Sequence, residues 1–333
     1  MAAKKSTNGR TIDRQRQLFR LFERVAPAAG AKMLDAIWFG LPPVSEKAKK
    51  VRVELPEAVP IELAFENGKI RGSSWGEGPT VYLVHGWGGW GLQLAAFVPP
   101  LVDAGFRVIA FDAPSHGDSE AGREGAKRST LLELRDAFEA VVAAFGPAYG
   151  VVAHSLGAAS VTLALKDGVS VRRVVFIATA TDFRDWLAQF ERHFGFGPRT
   201  RERFLRRFTA RFGPLDDFAV VPLIDGLVEE RELPPLLVIH DRSDRETPAE
   251  GSAKVAQVWP NAELQLTDGL GHNRILRDST VVKSALTFLS ADDPTAVDPA
   301  KPSSALAIDD PVGQSSGRAG GDGVAVGQGT MPG

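Results

Sequence analysis

Cysteine is absent from this chain of 333 residues. That excludes disulfides, a thiolate nucleophile and any cysteine-ligated metal. Charge of one sign is not in excess either: 39 Lys and Arg face 41 Asp and Glu, a net charge of −2. No global basic signal for nucleic acid remains, and none is expected as a partner. Long apolar runs are missing too. Nowhere do about 18 uncharged apolar residues follow one another, so no integral membrane segment is expected. The basic N-terminus leads into no run of signal-peptide length, because Leu18 to Val25 is broken by Arg20, Glu23 and Arg24. An ordinary globular composition without disulfides fits a cytoplasmic protein.

Three zones differ in composition. Residues 1–50 carry eleven Lys and Arg against four acids. Leu18, Leu21, Phe22 and Val25 recur there at helical spacing, followed by Met33, Leu34, Ile37 and Trp38. The spacing predicts two short helices ending at Leu41-Pro42-Pro43, a basic helical extension. A basic amphipathic helix can touch anionic lipid, but packing of the apolar stripe on the main domain is the preferred reading. From 51 to 290 apolar strands alternate with helices. The expected strands are Val51–Leu55, Ile61–Phe65, Lys69–Ser74, Val81–Val84, Arg107–Phe111, Tyr149–Ala153, Val174–Ile177, Leu236–Ile239 and Ala262–Leu266. Helices are expected near Leu92–Ala104, Leu131–Phe145, Leu156–Leu165, Pro248–Val258 and Ser279–Leu289. That alternation predicts an α/β fold, a mostly parallel central sheet with helices on both faces.

The interval 181–232 is too long for a simple crossover. Phe204, Phe208 and Phe212 fall at i, i+4 and i+8 in it, with arginines on other faces. This reads as an amphipathic helix inserted above the sheet, a cap. Residues 291–333 are rich in Pro, Gly, Ser, Ala and Asp and poor in large apolar side chains. Such a composition cannot bury enough area to offset its ordering entropy, so a disordered tail is expected.

The chemistry concentrates at Val151-Val152-Ala153-His154-Ser155-Leu156-Gly157. An apolar strand runs into a serine between small residues and then into a helix. This is the context of a nucleophile elbow, whose tight turn presents the serine oxygen at a helix N-terminus. Ala153 stands where glycine is usual. Upstream, Leu83-Val84-His85-Gly86-Trp87-Gly88-Gly89 follows a core strand, and the N–H groups of Trp87 and Leu156 are candidates for an oxyanion hole.

These motifs resemble those of α/β-hydrolases, over about residues 80 to 290. His85-Gly86-Trp87-Gly88 comes first in that order. Phe111-Asp112-Ala113-Pro114-Ser115-His116-Gly117-Asp118-Ser119 follows, with Ser115 where glycine is common, and then the elbow. In the family the second motif is mainly structural, which makes His116 a scaffold residue. The family order of nucleophile, acid and histidine implies His272 as general base, in Asp268-Gly269-Leu270-Gly271-His272 after the last expected strand. The acid follows Leu236–Ile239, where Asp241, Asp244 and Glu246 are candidates. The pattern His-Gly-x-x-Asp-x-x-x-Pro selects Asp244, with Asp241 as fallback. What the resemblance implies is an esterase acting through an acyl-enzyme on a small-molecule acyl substrate, without metal or organic cofactor. A serine at the elbow disfavours haloalkane dehalogenases and epoxide hydrolases, which use aspartate. Acyl transfer, cofactor-free perhydrolysis and a non-catalytic binding role stay open. Trp87 and the Phe-rich cap favour an apolar acyl portion, although a Phe stripe is more often packing; the arginines read as solvated.

Overall fold

The computed structural model describes residues 7–44, 49–50 and 53–291. Met1–Asp292 forms one unit and Asp293–Gly333 another; the latter, and with it nearly all of the expected tail, lies outside the described residues. Eight strands form one sheet: β1 Val59–Phe65, β2 Gly68–Trp75, β3 Thr80–Val84, β4 Arg107–Phe111, β5 Ala148–His154, β6 Val171–Ile177, β7 Leu236–Asp241 and β8 Ala262–Thr267. Their order is β1-β2-β4-β3-β5-β6-β7-β8. Only the β1–β2 and β2–β4 pairs are antiparallel; β4 through β8 run parallel.

A parallel strand covered on both faces is apolar over most of its length; β3 and β7 are buried throughout, and β7 is apolar up to His240 and Asp241 at its end. The side chains divide with the period of two that a pleated strand imposes. Tyr82, Val84, Ile109, Val151, Ala153, Val174 and Phe176 enter one core. Val81, Leu83, Val108, Val152, Val175 and Ile177 enter the other. The edge strand β8 is half-exposed instead.

Helices α1 Thr7–Val25 and α2 Pro27–Trp38 precede the sheet. Between β3 and β4 the expected helix is divided into a 3₁₀ segment, Gly91–Phe97, and a short α3, Val98–Asp103. Pro99 and Pro100 account for the division: they fit a first turn but cannot donate within a longer helix. The helices α4 Leu131–Phe145 and α5 Leu156–Lys166 flank β5. Three helices fill the interval between β6 and β7: α6 Phe183–Phe194, α7 Pro198–Phe212 and α8 Val220–Glu230. The remaining helices are α9 Ala249–Val258, the single turn α10 Gly271–Arg274 and α11 Ser279–Leu289.

Two expectations are corrected. The strand expected at Val51–Leu55 does not form over 53–55, and residues 51 and 52 lie outside the described residues; the first strand begins at Val59. Among the described side chains of α1, Phe19 is buried and Phe22 half-buried, while Leu18, Leu21 and Val25 are exposed. Phe19 lies against the rings of Phe194 and Phe196 at 6.1 and 5.5 Å. One turn on, the Glu23 carboxylate accepts from the Arg199 and Thr200 N–H groups at the start of α7. Capping those orphan donors turns this face inward and leaves the leucines out. The second apolar cluster packs as expected: Leu34 and Trp38 are buried, and Trp38 meets the rings of Phe183, Phe190 and Phe204 at 5.3 to 5.8 Å.

Candidate active site

The chain steps from β3 outward to β4 and then returns to the other side of β3 for β5. At such a reversal the loops after adjacent strands diverge and leave a crevice. The loop after β3 carries Gly86 and Trp87, and β5 leads directly into Ser155.

Ser155 has φ 54° and ψ −120°, a conformation that a serine rarely adopts. Its backbone is held from both sides. The N–H donates to the Ile177 carbonyl at 2.9 Å, and the carbonyl accepts from Ala158 at 3.1 Å and Ala180 at 3.3 Å. Two glycines permit the turn to seat. A Cβ on Gly157 would lie 2.7 Å from the His85 carbonyl oxygen, and one on Gly86 would lie 2.8 Å from the Ser155 Cβ. Ala153, by contrast, is buried in the core and its methyl is accommodated there.

His272 reaches this serine from α10. Its Nε2 lies 3.1 Å from Ser155 Oγ, and its Nδ1 lies 2.7 Å from Asp244 Oδ2. A nitrogen facing a carboxylate carries the proton, which leaves Nε2 to accept from the serine hydroxyl. The His272 side chain is 8% exposed and that of Asp244 is 0% exposed. Burial alone would raise the Asp244 pKa. Hydrogen bonds from His240 and His272, and the Thr247 N–H, outweigh it and hold the carboxyl well below the usual carboxylate range. Asp244 is therefore an anion at neutral pH, and each of its oxygens is occupied. Oδ1 accepts from the Glu246 and Thr247 N–H groups, and Oδ2 accepts from the Thr247 hydroxyl at 3.1 Å besides His272.

Asp241, the fallback acid, does something else. Its carboxylate accepts from Ser243 N–H, Thr267 hydroxyl and Leu270 N–H. It ties the loop after β7 to the loop that bears His272. Glu246 lies on the rim, its Oε2 3.9 Å from His272 Nε2 and its Oε1 accepting from Asn273.

Three further residues hold this arrangement. His240 is buried at the end of β7, with Nε2 3.0 Å from the Thr247 carbonyl and 3.3 Å from Asp244 Oδ2, and Nδ1 2.6 Å from Ser252 Oγ. His154 donates from Nε2 to the His272 carbonyl at 3.0 Å, and its burial, with the nearby His272, drives its pKa well below the ordinary histidine value. The Thr247 hydroxyl donates to Asp244 Oδ2 and lies 3.3 Å from the Ala178 carbonyl. The motifs placed His154 and His240 at turns and strand ends but gave no sign of these contacts. The one signal was the spacing of His240 four residues before Asp244.

Burial lowers the His85 pKa to about 4, so this ring is neutral. Its Nε2 accepts from the Ala113 N–H at 2.9 Å, which puts the proton on Nδ1, 2.7 Å from the Gly86 carbonyl. That carbonyl also accepts from Gly89. Because C=O and N–H of one peptide point oppositely, fixing the Gly86 carbonyl turns the Trp87 N–H away from His85. Among the described residues neither the Trp87 N–H nor the Leu156 N–H has an acceptor. His116 is a buried neighbour of His85, with ring centroids 5.0 Å apart, and stays outside the cleft. The cleft over Ser155 has a volume of about 600 Å³ and is bounded by Trp87, Trp90, Trp186, Glu246, His272 and Arg277 among others. Among the described residues no group of three or more His, Asp or Glu side chains is placed to hold a metal ion, and no helix is long and apolar enough to cross a membrane.

The model of the Alpha/beta hydrolase family matches residues 81–285. The chain belongs to this family. Solved α/β-hydrolase structures overlay on it at the level of fold. The bromoperoxidase of Bacillus anthracis matches with a TM-score of 0.52 and 20% identity, over 70% of this chain and 99% of that one. Est1E from Butyrivibrio proteoclasticus, with ferulic acid bound, gives 0.54 and 17%, over 69% and 97%. Alpha/beta hydrolase domain-containing protein 10 from mouse gives 0.53 and 16%, over 69% and 96%. The family match begins at Val81, so α1, α2, β1 and β2 of this hydrolase precede it.

Proposed function

We propose that this α/β-hydrolase cleaves a carboxylic ester through a covalent acyl-serine intermediate. The observation that carries the reading is the continuous chain from Ser155 Oγ to His272 Nε2 at 3.1 Å and from His272 Nδ1 to Asp244 Oδ2 at 2.7 Å. Ser155 Oγ attacks the acyl carbon as its proton passes to His272 Nε2. The tetrahedral oxyanion is held by the N–H groups of Trp87 and Leu156, both without an acceptor among the described residues. The carbon–oxygen bond to the alcohol then breaks, and the alkoxide leaves with the proton from His272. Water, deprotonated by the same nitrogen, attacks the acyl-serine and releases the acid, which restores Ser155. Asp244 remains an anion throughout, fixing the imidazole tautomer and offsetting the charge on the imidazolium. No step in this scheme calls for a metal or organic cofactor.

The experiment is hydrolysis of short p-nitrophenyl esters by the parent and by Ser155→Ala. The expected loss in kcat is about 10⁴-fold or more. A Ser155→Ala protein with parental kcat would overturn the assignment.

A further inference from the structure

The apolar residues of α1 that face outward form a ridge. Leu18, Leu21 and Val25 follow at i, i+3 and i+7, about 10 Å along one side of the helix. They are 44, 53 and 71% exposed. No other helix carries more than one exposed large apolar side chain among the described residues. Single exposed hydrophobics are ordinary, whereas a ridge of them marks a contact surface.

Charge of one sign frames this ridge. Arg14 stands four residues before Leu18, Arg24 three after Leu21, and Arg20 four before Arg24, the spacings of helical neighbours. All three arginines are exposed, and none meets a carboxylate among the described residues. The arginines of α7 differ: Arg201, Arg207 and Arg211 reach Glu191, Asp35 and Glu124. The acids of α1 are engaged elsewhere, since Glu23 caps α7 and Asp13 is half-buried and already partnered. The ridge is also fixed outward. On the opposite side Phe19 is fully buried, and Arg16 donates to the His193 carbonyl at 2.6 Å. The face is therefore preformed, and a partner need not order it.

We propose that the outward face of α1 docks this hydrolase on an anionic lipid surface. Leu18, Leu21 and Val25 enter the boundary between headgroups and acyl chains, while Arg14, Arg20 and Arg24 bond lipid phosphates. A second copy fits less well. Pairing this face with itself about a two-fold axis would set arginine against arginine with no acid between them. Three aliphatic side chains bury little area, so the contact is peripheral, reversible and weakened by salt. It does not depend on the acyl-serine reading above, and it gives α1, which lies before the family match, a role of its own.

The test is co-sedimentation of the full chain with vesicles of phosphatidylcholine alone and of phosphatidylcholine mixed with phosphatidylserine. Binding to the mixed vesicles and not to the neutral ones is expected, and it should fall as salt is raised. Arg24→Gln should weaken the partition about fivefold. Leu18→Gln combined with Leu21→Gln should weaken it about tenfold. These positions are exposed, and circular dichroism of each variant checks that the fold persists. No binding to either vesicle, equal binding to both, or folded variants that bind like the parent would each overturn the proposal. Self-association of the parent in sedimentation velocity, abolished by Leu21→Gln and unaccompanied by vesicle binding, would overturn it in favour of a second copy.

Discussion

On one side of Ser155 the loops after β7 and β8 are held by hydrogen bonds: Asp241, Asp244, Thr247, His240 and His154 each have named polar partners within 3.3 Å. On the other side α2 and the inserted helices are held by rings, with Trp38 alone meeting four phenylalanines. Directional bonds fix atoms to a few tenths of an ångström, which proton transfer requires. Ring packing fills volume and tolerates adjustment. One side is held by directional bonds and the other by packing.

The two sides should respond differently when broken. Asp244→Asn keeps the shape and removes the charge that orients His272. A fall in kcat of about 10⁴-fold is expected, with a melting temperature near the parent's, measured on p-nitrophenyl butyrate and by circular dichroism. Phe204→Ala, on the aromatic side, should do the reverse. Phe204 is fully buried, and its truncation should cost about 3–5 kcal/mol in urea unfolding. Its kcat should stay within tenfold of the parent's, and a kcat loss as large as that of Asp244→Asn would erase the distinction.

Acid should weaken the turns after β3 and β4, which belong to neither side. Burial lowers the His85 pKa to about 4 and the His116 pKa to about 3, against 6.5 for a free ring. Between those values the unfolded chain binds protons that the folded one refuses, so stability falls as pH is lowered from 6.5 towards 4. His85 alone should account for about 3 kcal/mol of that loss. Asp244, depressed in the folded state, withdraws its contribution below the unfolded value of 3.8. Asp112 and Glu133 oppose this, since burial raises both and they gain stability as acid protonates them. Unfolding free energies across pH 7 to 4 should fall for the parent and more gently for His116→Gln. A flat profile would contradict the buried neutral rings. The smallest expected effect is at His240. With His240→Phe the Asp244 carboxylate loses one anchor, and kcat should drop about 10- to 100-fold with KM nearly constant. A change in KM alone would make His240 a packing residue.

The polar side was also the more legible in sequence. The apolar runs located all eight strands within a few residues, because burial on both faces demands continuous apolar stretches, and added one at Val51–Leu55 that does not form over 53–55. Ser155, Asp244 and His272 could be named because each follows a strand end, in a fixed chain order. What stayed hidden was contact through space. Thr247 looks like a loop threonine until it is seen against Asp244, and His154 until its proton is seen on the His272 carbonyl. The aromatic side was harder still. Periodicity marked Phe204 and Phe208 as an inward face, but it chose Leu18, Leu21 and Val25 in α1, where capping by Glu23 turned Phe19 inward. Phe39 and Phe212 meet with ring centroids 5.4 Å apart although they lie far apart in the chain, and no local pattern links them.

Ser155 acting as an activated nucleophile is the central claim. Treating the folded protein with diisopropyl fluorophosphate and mapping the adduct by peptide mass spectrometry tests this most directly. One diisopropylphosphoryl group on Ser155, formed faster in the parent than in Asp244→Asn, is the predicted result. A folded protein left unmodified at Ser155, or modified at the same rate in both, would contradict it.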